Sequence, residues 1–509
     1  MVESQSSRHN PYRSDEAPLL SLRTLSNTPL GTWTTKSSLA QKAGILKYSM
    51  AESRQTSPPA AAGSPALNGA NDADPPPRAS PDLGEDQELF FLNGDDLSYE
   101  NFAMYRKYGY HPIVLGDVLP EPGTCENDQS KAPRYRVIQK LGFGAFSTVW
   151  LARDLLECRY VAVKVCCGID KPVFSRETNI LYHIQQSHKA HPGFDNMLNL
   201  YEAFIISGPN GFHECLVTEV VAPLHGLGIK QSWPKKDVLR QIASAVLLLH
   251  SQGIAHGDLH EDNFGVAVPG LQEISEEDIQ DSLLGDQEVI PVIPRDPMFP
   301  RNTVPAYVTP SAQLGALLTE QGQYPKPISA TIKLLDFGRA FSVDQSPRYL
   351  PGGAPFHIRP PEVILYDVTD GKAGTVWSKE ADIWALGCTI HPGTLVNQHG
   401  FRDLYQRLGN ALRVGGPPPK EWLEYLDLDR LASSISCKLP EGGTIVSTDQ
   451  LVSRLSEEAA KGWEERKQHR WDAQQEEFIN LIQRMVMTVP SARLDIAEVL
   501  VHPWLRRKV

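Results

Sequence analysis

HGDLHEDNFG, His256 to Gly265, places two histidines, three carboxylates and an asparagine within ten residues. Asp258 can orient an attacking hydroxyl and accept its proton, and Asn263, five residues on, can offer an amide oxygen to a metal ion. Each residue alone also reads as a turn aspartate or a capping asparagine. Taken by itself the loop suits two enzyme classes: those that phosphorylate proteins and those that phosphorylate small alcohols or amines, such as aminoglycosides or choline.

The choice is made by what lies outside the loop. Upstream, YRVIQKL, STVWLARD and RYVAVKVC read as antiparallel strands, and GFGAFSTV, Gly142 to Val149, forms the first turn. Gly142 and Gly144 let backbone N–H groups approach phosphate oxygens with no side chain in the way. No helix follows this turn, which disfavours a dinucleotide fold or a Walker loop. Lys164, in VAVKV, is a cation among apolar neighbours, one hairpin from the turn. Glu177, opening the helical pattern ETNILYHIQQ, is the anion able to hold it, though it also suits a first helical turn on charge alone. Downstream, Asp336 of LLDFG supplies a second metal-binding oxygen. The order Gly turn, Lys, Glu, Asp, Asn, Asp is hard to produce by coincidence.

A chain of 509 residues, 41% hydrophobic, suits one large two-lobed enzyme with an extension. Residues 1–97 include SPPAAAGSPALNGANDADPPPRASPD, too poor in apolar surface to offset ordering, and are expected to be a disordered arm. Ser57, Ser64 and Ser80 each precede proline. A net charge of -12 argues against a direct nucleic-acid binder. Seven cysteines without a C-x-x-C suggest reduced thiols, no run approaches the roughly 18 apolar residues that span a bilayer, and no signal core opens the chain. A soluble, monomeric protein of the cytoplasm or nucleus is expected.

GFGAFSTV, VAVKV, HGDLHEDN, DFG, RPPE (Arg359 to Glu362), ADIWALG (Ala381 to Gly387) and Arg493 together resemble the protein-kinase signature set over residues 98–508. RPPE, ADIWALG and Arg493 belong to the platform for protein substrates, which small-molecule kinases generally lack. The resemblance implies an α+β, bilobal fold, with an N-lobe at 98–221 (antiparallel sheet plus one helix) and a mainly helical C-lobe at 222–508. It implies ATP and Mg²⁺ as cofactors. Leu141, Gly142, Phe143, Gly144, Ala145, Phe146, Ser147, Val149 and Ala162 would surround ATP, Lys164 would hold its phosphates in a pair with Glu177, Glu219 to Val221 would form the hinge that meets adenine through backbone groups, and Thr218 would guard the back pocket. Asp258 would be the catalytic aspartate, with His260 beside it. Asn263 and Asp336 would bind metal, while Glu362, Asp382 and Arg493 would be structural.

Within that family the chain is most similar to the serine/arginine-rich protein kinases, on GYHPIVLGDVL (Gly109 to Leu119), on Ser147 in place of a third loop glycine, and on a long insertion before DFG, here at about 267–330. The insertion opens with the acidic LQEISEEDIQDSLLGDQE and continues Pro-rich. This implies Arg/Ser-rich protein substrates, with splicing and mRNA-processing factors the natural partners. Glu261 and Asp262 are the carboxylates expected to read substrate arginine, against the plainer reading of a solvated acidic edge.

Three departures qualify the resemblance. Gly257 stands where many kinases carry an Arg that binds an activation-loop phosphate, and Ser342 and Ser346 are the only serines from Asp336 to Glu362, so no activating phosphate is expected. His260 replaces a Lys, which predicts a contribution that weakens near neutrality. Pro392 and Gly393 interrupt the helix that ADIWALGCTI begins. The rival to an active enzyme is therefore a binding-only pseudokinase that scaffolds.

Overall fold

The computed structural model describes residues 89–92, 94, 98–224, 235–284, 289–344, 355, 358–391, 403–435, 447–468 and 473–506. Ser57, Ser64, Ser80, Ser346, Pro392 and Gly393 lie outside these residues, as does most of the expected arm. The arm's proposed end at 97 is too late: Phe90 is buried, bridges to Pro294 and meets Phe102 and Phe299 edge-on. Within the run LFFL the Phe90 side chain is buried, and backbone bonds from Phe91 N to Ile293 O and from Arg295 N to Leu89 O hold the segment.

The first lobe is a six-stranded antiparallel sheet in the order β1-β2-β3-β4-β6-β5. Its strands are β1 (Val118–Leu119), β2 (Tyr135–Gly144), β3 (Ser147–Asp154), β4 (Arg159–Cys166), β5 (Leu200–Gly208) and β6 (Gly211–Thr218), and α1 (Arg176–Ser187) lies between β4 and β5. Strand alternation gives the sheet two faces. Val161, Val163 and Val165 of β4 join a cluster with Ile113, Leu119 and Cys125 of the leading segment, while Ala162 joins a larger core with Leu181 and Ile184 of α1.

The second lobe begins at β7 (Val221–Pro223). It contains α2 (Lys235–Ser251), β8 (Ile254–Ala255), β9 (Phe264–Ala267), β12 (Ile332–Leu334) and β13 (Phe341–Ser342), and the helices that follow. The strands pair as β12-β9-β7 and β13-β8, which fixes the loop 256–263 between two short ladders. The helices are α5 (Pro361–Val368), α6 (Glu380–Ile390), α7 (Leu404–Gly415), α8 (Lys420–Leu423), α9 (Leu428–Ser434), α10 (Thr448–Gln468), α11 (Ala473–Met485), α12 (Ile496–Val501) and α13 (Pro503–Arg506). Among the described residues, α6 is helical to Ile390, with His391 as its cap. No described helix is long and apolar enough to cross a membrane.

The insertion between β9 and β12 is folded where it is described. It contains α3 (Glu276–Leu284), the β10–β11 pair (Ile290–Pro291, Tyr307–Val308) and α4 (Leu314–Glu320). Leu271, Ile274, Leu314 and Leu317 enter the main core, and Val292, Val304 and Val308 form a third cluster with Phe90, Phe102, Tyr105 and Tyr110. It also grips the first lobe. Gln272 exchanges two hydrogen bonds with the Tyr160 backbone, Glu276 makes a bidentate pair with Arg136, and Ala312 N donates to Lys140 O.

The tightest junction is fully buried. Lys140 Nζ donates to both Glu100 oxygens at 2.6 Å and to Thr309 O at 2.9 Å, and Tyr105 Oη donates to Glu100 at 2.6 Å. Burial pulls the ammonium's pKa down, and Glu100 opposes that fall. Removing one charge strands the other in a dry site, so Lys140→Met is expected to lose about 3–5 kcal/mol in urea denaturation. Lys140→Met/Glu100→Leu should recover more than half of that loss, since it leaves no unpaired buried charge.

Candidate active site

The loop 256–263 is organised by Asp382, in the first turn of α6. Its carboxylate accepts from His256 N (2.7 Å), Gly257 N (2.8 Å) and His250 Nε2 (2.9 Å). Burial works against the charged form, but His250 and the backbone donors hold the carboxyl below its usual range. Gly257 has φ +79°, and a Cβ there would lie 2.7 Å from Arg339 O. Backbone geometry thus favours glycine at the position read from sequence as a missing arginine.

Asp258 follows. Its Oδ1 is buried without a hydrogen-bond partner among the described residues, and its Oδ2 lies 3.6 Å from His260 Nε2. An orphaned carboxylate oxygen in an otherwise satisfied loop fits an acceptor for a donor that arrives with substrate. Asn263, in the one-turn 3₁₀ helix Glu261–Asn263, donates from Nδ2 to Asp258 O at 2.8 Å, and this orients its amide and leaves Oδ1 as a ligand.

Across the cleft, β4 alternation turns Lys164 toward α1, which is capped by Ser175 and carries Glu177 in its first turn. Lys164 Nζ donates to Glu177 at 2.7 and 3.0 Å and to Asp336 Oδ1 at 3.2 Å. Burial would discharge the lysine, yet the two carboxylates hold its pKa well above the usual value, and Lys164 in turn holds the Asp336 carboxyl low. Asp336 adopts a left-handed φ of +55°, and its neighbour Phe337 is buried, edge-on to His256 at 5.3 Å, with its N–H directed at Glu177. An ionised Asp336 and the Asn263 amide are hard oxygen donors that suit Mg²⁺.

Over this cleft lies the β2–β3 hairpin. A Cβ at Gly142 or Gly144 would meet nothing within 4 Å, so nothing in the protein itself requires glycine there; the space is left on the ligand side. Phe143 pairs with Thr148 and Gly144 with Ser147, leaving Ala145 and Phe146 as the tip, with the Phe146 ring 5.4 Å from the Arg339 guanidinium. Leu141 and Val149 pack partly buried on the main core, where Ala162 is paired with Thr218. The Glu219 carboxylate is engaged by Lys333 (2.7 Å) and Asn199 N (2.9 Å), its N–H donates to Asn199 O, and its carbonyl accepts from Thr218 Oγ1 at 3.0 Å with a second lone pair left over; Val221 opens β7 against β9.

The remaining assignments are spread around the loop. Arg493 forms a buried bidentate pair with Glu362 at 2.7 and 2.8 Å. Glu261 and Asp262 lie at the loop edge, Asp262 largely exposed, but Asp262 is already 3.5 Å from His260 Nδ1 and shares its charge with that ring. The expectation that His260 weakens near neutrality is corrected. Partial burial opposes the charged ring, yet Asp258 and Asp262 flank it and raise its pKa to about 9. The Asn263 amide nitrogen, 3.0 Å from Nε2, and the Asp262 backbone N–H, 3.3 Å from Nδ1, work the other way; two carboxylates outweigh two amide dipoles.

Several groups carried no signal in the sequence. Glu214, buried on β6, accepts from Ser175 N and Thr178 Oγ1 and so seats the start of α1. Arg176 donates to Ala340 O, and β13 pairs with β8, which holds the described residues just after Asp336. His250 supports Asp382 from a helix end that shows no motif.

No family model matches the chain. A serine/threonine protein kinase of Aspergillus fumigatus is 26% identical over 423 residues, covering 80% of this chain and 91% of that protein. SRSF protein kinase 3 of Homo sapiens is 33% identical over 187 residues, 35% of this chain and 31% of its own length. Protein kinase dsk1 of Schizosaccharomyces pombe is 34% identical over 180 residues, 33% of this chain and 31% of its own. A solved kinase domain aligns with a TM-score of 0.43 at 18% identity, over 76% of this chain and 98% of that one. Homologues of the chain are thus serine/threonine protein kinases.

His260 is expected to titrate in an NMR pH series near 9, and Asp262→Asn should move the midpoint toward the ordinary 6.5. Because the folded pKa is raised, the stability gained from this ionisation is complete below about pH 6.5 and drains away as pH rises through about 9. A midpoint at or below 6.5 in the parent protein would contradict the assignment.

Proposed function

We propose that this chain, a relative of the SR-protein kinases with the bilobal protein-kinase fold, transfers the γ-phosphoryl group of ATP to serine in Arg/Ser-rich proteins of mRNA processing, in the cytoplasm or nucleus. The observation that carries the reading is the Asp258 carboxylate, one oxygen buried and unpartnered, facing a cleft in which Lys164, Glu177 and Asp336 form one connected set of charges. Asp258 orients the serine hydroxyl and takes its proton. Lys164, kept cationic by Glu177, holds phosphate oxygens, and the backbone of the Gly142–Phe146 turn covers them. Protonated His260 adds positive charge beside Asp258, where the transferred group accumulates negative charge. Mg²⁺, when bound through Asn263 and Asp336, supplies charge neutralisation between phosphates.

Glu261 and Asp262 give the substrate preference. Both carboxylates stand at the mouth of the loop, and forked Arg contacts suit them better than Lys contacts do. Asp262 is partly neutralised by His260.

Phosphatase-treated protein is expected to phosphorylate an Arg-Ser repeat peptide, with Asp258→Asn lowering kcat by about 10²–10⁴-fold and Asp336→Ala abolishing turnover. Equal incorporation by parent and Asp336→Ala would remove the catalytic assignment and leave a scaffold. Replacing Arg near the acceptor serine by Lys should lower kcat/KM by about 2- to 5-fold per position, the worth of an exposed ion pair. That ratio should approach one in Glu261→Ala, and an unbiased peptide array from the parent protein would sink the preference.

A further inference from the structure

The tip of the glycine-rich turn is fastened from outside by a residue far from the cleft. Tyr110 Oη donates to Gly144 O at 2.7 Å, and Cys167 N donates to Phe146 O at 2.8 Å. Both fasteners lie on one side. Continuing the alternation of β4, Cys167 follows Val161, Val163 and Val165 on the face covered by the leading segment, and it clusters with Tyr110. Lys164 faces the opposite way, toward Glu177 and Asp336. In a trans peptide the C=O and N–H point to opposite sides. Holding the Gly144 carbonyl outward therefore turns the Ala145 N–H inward, to the side of Lys164.

Tyr110 is itself over-determined. Its ring is buried and meets Tyr105 edge-on at 5.5 Å, its N–H donates to Met104 O, and the neighbouring Gly109 O accepts from Gly168 N. Its carbonyl accepts from Asn210 Nδ2 at 2.7 Å, and the same amide nitrogen donates to Thr303 O of the insertion at 2.8 Å. Gly144, by contrast, is exposed, and apart from this hold it has its hairpin pairing with Ser147. The chain of contacts runs from the insertion through Asn210 and Tyr110 to one peptide group of the turn.

We propose that Tyr110 is a positioning residue for nucleotide phosphates: it locks the Gly144–Ala145 peptide so that the Ala145 N–H is presented to the phosphate chain, with Asn210 and the insertion holding Tyr110 in place. This rests on the ATP-dependent reading above. The residue touches no substrate, and its effect is confined to ligands that carry phosphate.

The test is binding of ATP, ADP and adenosine to full-length protein by calorimetry, comparing the parent with Tyr110→Phe, together with KM for ATP and for peptide. Tyr110→Phe removes only the hydroxyl and keeps the ring contact. Loss of one ordinary hydrogen bond should weaken ATP and ADP by about 2- to 10-fold, raise KM for ATP alike, and leave adenosine affinity and peptide KM unchanged. Unchanged ATP and ADP affinity overturns the proposal, and so does an equal loss for adenosine, which marks a general loosening of the lobe. Should Tyr110→Phe not fold, the same phosphate-dependent split is read, in smaller measure, from Asn210→Ser, and its absence there overturns the proposal equally. If the parent protein binds no ATP, the proposed function fails instead, so the two failures are distinguishable.

Discussion

One buried carboxylate, Asp382, organises the chemistry of this protein. It accepts from two consecutive backbone N–H groups at His256 and Gly257 and from the His250 imidazole, and so holds the loop in a backbone conformation that only glycine occupies without strain. With the loop pinned, the backbone sets the direction of Asp258, whose carbonyl accepts from Asn263 Nδ2. The helix that carries Asp382 is in turn tied to the C-terminal region by the Arg493 guanidinium, which spans the Glu380 carbonyl and the Glu362 carboxylate. Catalytic geometry at the cleft is therefore set by a buried network that starts more than a hundred residues downstream in sequence.

The opposite wall depends on a charge balance rather than on a hydrogen-bond cage. Lys164 lies between two carboxylates, one on α1 and one after β12, so the position of α1 and that of the Asp336 turn are read by a single ammonium. Glu214 and Arg176 support the same helix from its other contacts, and the β13–β8 pairing holds the segment beyond Asp336.

The parts legible in the sequence are those in which chemistry dictates residue type at close spacing. HGDLHEDN and DFG name their own atoms, and RYVAVKVC shows a lysine among apolar neighbours one hairpin from the turn. Three kinds of information were not legible. Phe90 sat at the end of a polar arm, and its partner, Pro294, lies two hundred residues away. The protonation of His260 depends on where two carboxylates point, which the order of letters does not contain. The insertion looked like an acidic, Pro-rich loop because its apolar residues, such as Leu271, Ile274 and Leu314, are spread among acids and prolines, and their burial in the main core depends on partners distant in sequence.

That insertion leaves the second lobe and is anchored on the first, through Arg136–Glu276, the Tyr160–Gln272 exchange and the Lys140–Thr309 contact. Two lobes joined only by the strand crossing at 219–221 could rotate about it as a hinge; here a second tether crosses the same gap, so wide opening requires shearing several hydrogen bonds at once. Rotation of one described lobe against the other is thereby resisted at two separate crossings.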